Sequence, residues 1–190
     1  MHVVDSRRLQ VVAGEPVAVP DPDLLVHLQF RRFAGCPVCN LHLRSIVRRH
    51  DEITAAGVRE VVVFHSSAAQ LREHVGDLPF VVVPDPQKRL YREFGVESAN
   101  RALLNPRVWP AIVAGVARST WALLRGRERP PSLNPAGGRF GLPADFLIAP
   151  DGSVLAAKYG EHAYDQWSVD ELLELVARTS LTPPADPAPR

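Results

Sequence analysis

A run of alternating residues leads straight into the chain's two cysteines, and that junction limits what the chain can become. In Leu24–Phe33, Val26, Leu28 and Phe30 fall on one side of a pleat and His27, Gln29 and Arg31 on the other. This is the period of two expected of a strand. Ala34-Gly35-Cys36-Pro37-Val38-Cys39 follows. Pro37 suits the first turn of a helix, where its missing N–H costs nothing. Leu43, Ile46, Val47, His50 and Ile53 then recur at helical spacing up to Gly57, which predicts one helix over that stretch. Cys36 thus stands at a helix N-terminus, where the dipole and the unpaired backbone N–H groups favour a thiolate. Cys39 lies one turn further on, placed to close a disulfide with it. The pattern predicts Cys36 as nucleophile and Cys39 as resolving thiol, cycling through a Cys36–Cys39 disulfide. Two inert core thiols, or half of a metal site, are the alternatives.

The 190 residues suffice for one domain with a sizeable core, plus an insertion. A net charge of +1 gives no global field that calls for nucleic acid. Two cysteines cannot staple a secreted fold. The start, Met1 to Arg8, lacks the apolar core of a signal peptide. The expected compartment is a reducing cytoplasm, where such a pair is catalytic or metal-binding rather than structural.

Residues 1–23 read as an irregular arm with a short strand at Leu9–Ala13. Val61-Val62-Val63-Phe64 reads as a strand covered on both faces. Ser67 to Gln70 has the form of a capping box opening a helix to about Val75. Phe80–Val83 is a third strand and Gln87–Phe94 a short helix. The βαβαβα order argues for a mainly parallel sheet. Residues 101–141 interrupt it. Within them Val108, Trp109, Ile112, Val113, Val116, Thr120, Trp121 and Leu124 share a helical stripe, and Arg118, Arg125, Arg127 and Arg129 make its far end basic. The expectation is a helix over the sheet or the site mouth. No membrane span is expected, since the uncharged run ends at Arg118, short of the roughly 20 residues a bilayer needs. A dimerisation or membrane-surface helix is the alternative. Pro130–Gly141 is a loop. Ala144–Ala149 and Val154–Tyr159 form a hairpin across Pro150-Asp151-Gly152, and a second capping box at Ser168–Glu171 opens a helix to about Arg178. Residues 179–190 read as a disordered tail.

Four phrases carry a family likeness: Leu28 to Cys39, Val63-Phe64-His65-Ser66, Asp85-Pro86 with Tyr91 to Val96, and Phe146 to Gly152. With the Cys-x-x-C pair at a strand-to-helix junction, they make the chain resemble the thioredoxin fold. More closely, it resembles the peroxiredoxin-like proteins of the AhpC/TSA superfamily. The resemblance implies an α/β domain over 24–178 with a central mixed sheet flanked by helices and a helical insertion. It implies an antioxidant oxidoreductase that reduces a peroxide or disulfide substrate and is restored by a dithiol such as thioredoxin or glutathione. No cofactor is called for, and a homodimer is one expected assembly.

Two departures stand out. Typical members of the family carry Thr or Ser three residues before the reactive Cys, where Phe33 stands here. They carry an Arg on a later strand, where this chain has about Pro143. Both losses remove donors that would polarise an O–O bond. Pro143 stands instead where thioredoxins have a cis-proline facing the two cysteines, a feature that pushes toward a disulfide reductase; the residues alone favour an ordinary trans loop proline. The other candidates are His65, which with Ser66 ends the second strand and either donates a proton or belongs to a helix-entry loop, and Asp145, a proton acceptor if buried near the sulfurs and otherwise in solvent by the alternation of its strand. Arg31 and Arg32 could lower a thiol pKa, and alternation lets at most one of them face it. Residues 160–167 form a polar–aromatic loop, either a substrate or partner surface or a cover for the sheet edge. Cys36, Cys39 and His42 sit at one-turn spacings, a partial metal or cluster set that His50, His65 or His162 would have to complete. Otherwise His42 is a helix-surface residue. A metal- or cluster-binding protein and a redox-inactive interaction module are the two alternative functions.

Overall fold

The computed structural model describes residues 3–74, 78–96, 109–125 and 141–181. Expectations for the helix end near Val75, for Val108, for the loop before Gly141 and for the tail beyond Leu181 lie outside the described residues. Two short strands, β1 (Arg7–Leu9) and β2 (Val17–Val19), pair antiparallel. This corrects the single strand expected at Leu9–Ala13: the arm folds back on itself. β3 (Leu25–Arg31), β4 (Val58–Phe64), β5 (Val81–Pro84), β6 (Ala144–Ile148) and β7 (Val154–Tyr159) form a mixed sheet of order β5-β4-β3-β6-β7. The first three run parallel, and β6 and β7 are antiparallel additions. The helices are α1 (Pro37–Arg48), α2 (His50–Ala55), α3 (Ala68–His74), α4 (Arg89–Glu93), α5 (Trp109–Leu124) and α6 (Val169–Leu181). The fold is thioredoxin-like, α/β with helices on both faces of the sheet.

β3 is the central strand, and burial explains its sequence. On one face Val26, Leu28 and Phe30 pack with Val61, Val63 and Phe146 beneath the β1–β2 pair and α4. On the other, α1, α2 and α6 bring Ile46, Ile53, Leu172 and Val176 against Val58 and Leu147. The alternation of β3 therefore separates two covered faces rather than core from water. Its polar residues His27, Gln29 and Arg31 are fully buried.

Both capping boxes form. Ser67 N–H donates to Gln70 Oε1 (3.1 Å) and Gln70 N–H to Ser67 Oγ (3.3 Å). Ser168 N–H donates to Glu171 Oε2 (2.7 Å) and Glu171 N–H to Ser168 Oγ (3.2 Å). Each satisfies N–H groups that a helix start leaves open. The single helix expected from Pro37 to Gly57 is instead two. Arg49 leaves helical geometry (φ −118°, ψ 22°), and its guanidinium pairs with Glu52 and with Asp170, just inside α6. In the inserted region α5 packs against α1 rather than over the sheet.

Candidate active site

Three contacts shape the turn between β3 and α1. Cys36 N–H donates to Phe33 O (3.1 Å), Ala34 N–H to Ser66 Oγ (3.0 Å) and His65 N–H to Arg32 O (3.2 Å). The last two tie the turn to the end of β4. Gly35 between them has φ +76°, a conformation that costs other residues dearly. A Cβ there would also lie 3.0 Å from His74 Nδ1. Cys36 is the N-cap of α1, Pro37 is its first residue, and Cys36 Sγ accepts from Cys39 N–H at 3.4 Å. The thiol thus takes the place of the oxygen that usually caps a helix. Both thiols are free, and only 1% of Cys36 and 2% of Cys39 is exposed.

The two sulfurs have opposite electrostatics. Burial alone would push the Cys36 thiol up. The Cys39 thiol hydrogen bond, the Arg32 charge and the backbone N–H groups of Cys39 and Val38 overcome that and bring it down to about 6. Cys39 is pushed well above 9.0, by burial first and then by its hydrogen bond to Cys36 and the Cys36 charge. At neutral pH the pair therefore holds one proton, on Cys39, donated toward a Cys36 thiolate.

Phe33, Val38 and Ala163 close around the sulfurs. Ala163 belongs to the 160–167 loop, so part of that loop roofs the pair, while Gln166 and Trp167 are also buried. His65 is fully buried, with its ring 6.4 Å from Phe33 and 5.7 Å from Tyr91. It supports the turn from behind. Tyr91, which enters the family likeness without a role, acts at this turn. Its hydroxyl lies between Val63 O (3.0 Å) and Arg31 O, with one proton to share between the two carbonyls, and so closes the gap where β3 and β4 end. Asp85 positions it by accepting from Arg89, Leu90 and Tyr91 N–H at the start of α4. The signal was present as an Asp-Pro ahead of a short helix. Pro143 is buried, and Gly160 N–H donates to its carbonyl (2.9 Å). The cis X–Pro bond among the described residues is Val19–Pro20, and the bond preceding Pro143 is trans. Pro143 lines a cleft of about 340 Å³ with Val96, Leu142, Tyr159 and Glu161.

Arg31 and Arg32 part company. Arg32 turns to the cysteines: its charge acts on both, and its Cζ lies 5.3 Å from the Phe33 ring. Arg31 turns under α1 into a buried ionic network. Its Nη2 donates to Asp145 Oδ1 (2.6 Å) and to Gln29 Oε1 (2.5 Å). His27 bridges Asp145 Oδ1 (3.1 Å) and Glu60 Oε2 (2.9 Å), and Gln29 also donates to Glu60. Burial opposes a charge on His27, but the two carboxylates prevail and raise its pKa to about 9. The set is then two anions and two cations, which sum to zero.

Asp145 corrects an expectation. It is buried, but against Arg31, His27 and the Trp167 N–H rather than the sulfurs. Burial raises its pKa, yet Arg31 and His27 outweigh burial and hold it far below the usual carboxylate range, which makes it a poor proton acceptor. His42 is likewise no surface residue: it is 4% exposed, and its Nε2 faces Arg31 Nη2 at 3.1 Å. Burial and Arg31 keep the ring neutral. His42 is committed to this network rather than to a ligand set with the sulfurs. Among the described residues no three His, Cys, Asp or Glu side chains converge to hold a metal.

The model of the AhpC/TSA antioxidant enzyme family matches residues 45–162, well over half of the chain. The chain belongs to the AhpC/TSA family. The matched span opens at Ser45, so membership rests on the sheet from β4 onward and not on the two cysteines before it. Solved structures similar to this AhpC/TSA protein include peroxidoxin BcpB from Mycobacterium tuberculosis, 18% identical over 93% of this chain and 95% of that one, at a TM-score of 0.63. Peroxiredoxin 6 of Arenicola marina is 14% identical over 95% and 72%, at 0.66. A chain from Chlorobium tepidum assigned as the thiol:disulfide interchange protein DsbE is 17% identical over 95% and 96%, at 0.58. At such identities these structures testify to the shared fold. No curated protein matches the chain.

Proposed function

We propose that this AhpC/TSA protein is a thiol peroxidase that reduces small hydroperoxides through Cys36 and Cys39. The observation that carries the reading is a thiol at the N-cap of α1, its sulfur accepting from Cys39 N–H (3.4 Å), with 1% of its residue surface exposed. Against burial, the Cys39 thiol, Arg32 and the helix terminus lower its pKa. Nucleophilic reactivity of a cysteine follows its thiolate fraction. A hydroperoxide is small enough to enter where the disulfide of a folded protein is not. The Cys36 thiolate attacks the outer peroxide oxygen, the O–O bond breaks, and the alkoxide leaves with a proton from water. Cys36 becomes a sulfenic acid. The negative charge that held the Cys39 proton is then gone. Cys39 sulfur attacks Cys36, its proton departs with the sulfenic hydroxyl as water, and the Cys36–Cys39 disulfide forms. An external dithiol of the thioredoxin or glutathione kind restores both thiols, consistent with a reducing cytoplasm. Arg32 takes over the cationic role of the arginine missing at Pro143, and Phe33 shields the site from bulk water.

Thiol titration tests this directly. Reduced protein given one equivalent of hydrogen peroxide should lose both thiols rapidly, and oxidised glutathione should act far more slowly. Cys39→Ser should stop at a Cys36 sulfenic acid that dimedone captures, and Cys36→Ser should be inert. Loss of thiols to the disulfide alone, or turnover surviving in Cys36→Ser, would overturn the proposal.

A further inference from the structure

α5 keeps large apolar side chains exposed. One side of it meets α1. Its outward side carries Trp109, Val113, Val116 and Trp121, which are 57%, 63%, 49% and 48% exposed. Trp109, Val113 and Val116 follow the i, i+4, i+7 spacing of one stripe, and Trp121 flanks it a turn beyond. The patch runs about 18 Å along the helix axis. A helix apolar on opposite sides has something on each of them.

The charges that border that stripe indicate what the cover is. Arg118 and Arg125 are exposed on the edge of the outward surface beyond Trp121, not within the Trp109–Val113–Val116 stripe, and no acidic residue occurs from Trp109 to Arg125. The Arg125 guanidinium lies over the Trp121 ring, 3.6 Å from its centroid to Cζ. That stacking keeps the cation at the margin of the apolar stripe. In sequence, Arg127 and Arg129 follow, with Glu128 between them. A second copy packing its own α5 on this one would bring these arginines no acidic residue from Trp109 to Arg125. An anionic lipid surface answers both halves of the pattern. Headgroup phosphates meet the arginines, and tryptophan and valine enter the boundary between headgroups and acyl chains. No helix among the described residues is long and apolar enough to cross a membrane, so the contact would lie in the plane of the surface.

We infer that the outward face of α5, built on Trp109, Val113, Val116, Trp121, Arg118 and Arg125, docks on an anionic bilayer surface. Because α5 packs on α1, docking brings the helix capped by Cys36 to the membrane. The inference stands apart from the redox reading, and its test uses no turnover. Reduced full-length protein is floated with vesicles of phosphatidylcholine alone and of an equimolar phosphatidylcholine–phosphatidylglycerol mixture, and tryptophan emission is read in the same samples. Wild type should float with the mixed vesicles and not with phosphatidylcholine. Its emission should shift to the blue from Trp109 and Trp121, since Trp167 is already buried. Val113→Asp with Val116→Asp should abolish flotation. Arg118→Gln and Arg125→Gln, on exposed positions that leave the fold untouched, should each weaken partitioning roughly fivefold. Failure to float on mixed vesicles would overturn the inference, as would flotation indifferent to both kinds of variant. So would a dimer dissolved by Val113→Asp/Val116→Asp, which would assign the face to a second copy.

Discussion

Arg31 and Arg32 are consecutive, both are buried, and they face opposite tasks. Arg31 is the last residue of β3 and keeps the strand's alternation, which sends it under α1 to Asp145, Gln29 and His42. Arg32 is past the strand end and turns to the cysteine pair. The Arg31 region is closed: its charges cancel among themselves and no ligand is needed to balance them. The Arg32 region is open in the chemical sense. It stabilises a thiolate that is meant to be consumed. A buried cation that neutralises fixed carboxylates is architecture, while one aimed at a titrating sulfur sets a reaction rate.

The comparison can be broken most severely at Arg31. Arg31→Met leaves Asp145 short of a cation and should lower unfolding free energy by about 3–5 kcal/mol. Denaturant melts would show it, and a loss below ~1 kcal/mol would mean the network is not holding the sheet. The folded fraction should keep its Cys36 titration near 6.

A second expected effect comes from pH. His27 is raised from 6.5 to about 9, so in that window the native state binds more protons than the unfolded one. Its contribution is full below 6.5 and is lost as pH rises through about 9. The shift corresponds to roughly 3 kcal/mol. Cys36 titrates in the opposite sense. Its pKa is lowered from 9.0 to about 6, so its contribution is present above 9.0 and lost as pH falls through 6. Stability should therefore be followed in a Cys36→Ser background, where the decline from pH 6.5 to 9 should appear and His27→Gln should flatten it. A rise over that range would contradict a charged His27.

Arg32→Met should do what Arg31→Met does not. Iodoacetamide alkylation of Cys36 should move its midpoint upward and slow about tenfold at pH 6, as loss of one nearby cation implies, with little change in melting. An unmoved midpoint would assign the low pKa to the helix terminus and Cys39 alone. Ser66→Ala should have the smallest effect, about 1 kcal/mol from one lost hydrogen bond to Ala34, measurable as faster hydrogen exchange in the turn. Exchange that accelerates equally throughout β3 would show that the turn and the network are one cooperative unit.

Much of this was legible because it is local. The β3 alternation, both capping boxes and Pro37 behind Cys36 each depend on residues a few positions apart. The ionic network is not local. His27, Glu60 and Asp145 come from three strands, and Asp145 lies 118 residues after His27. Alternation separates two faces but does not say that both are dry, so His27, Gln29 and Arg31 gave no sign of their burial. It did imply that only one of the two arginines could face the thiol, and the strand end decides which. The break at Arg49 stayed hidden because its pull comes from Asp170, on the far side of the chain.

The zero-sum network carries a consequence for descent. Replacing any one of His27, Arg31, Glu60 or Asp145 strands an odd charge among buried groups. Single-step drift at these four positions is therefore blocked, and change has to come in compensating pairs or as a wholesale exchange for apolar residues. Across the lineage of this chain the four sites should be inherited as a block, co-varying with one another far more tightly than with the cysteines a few residues away.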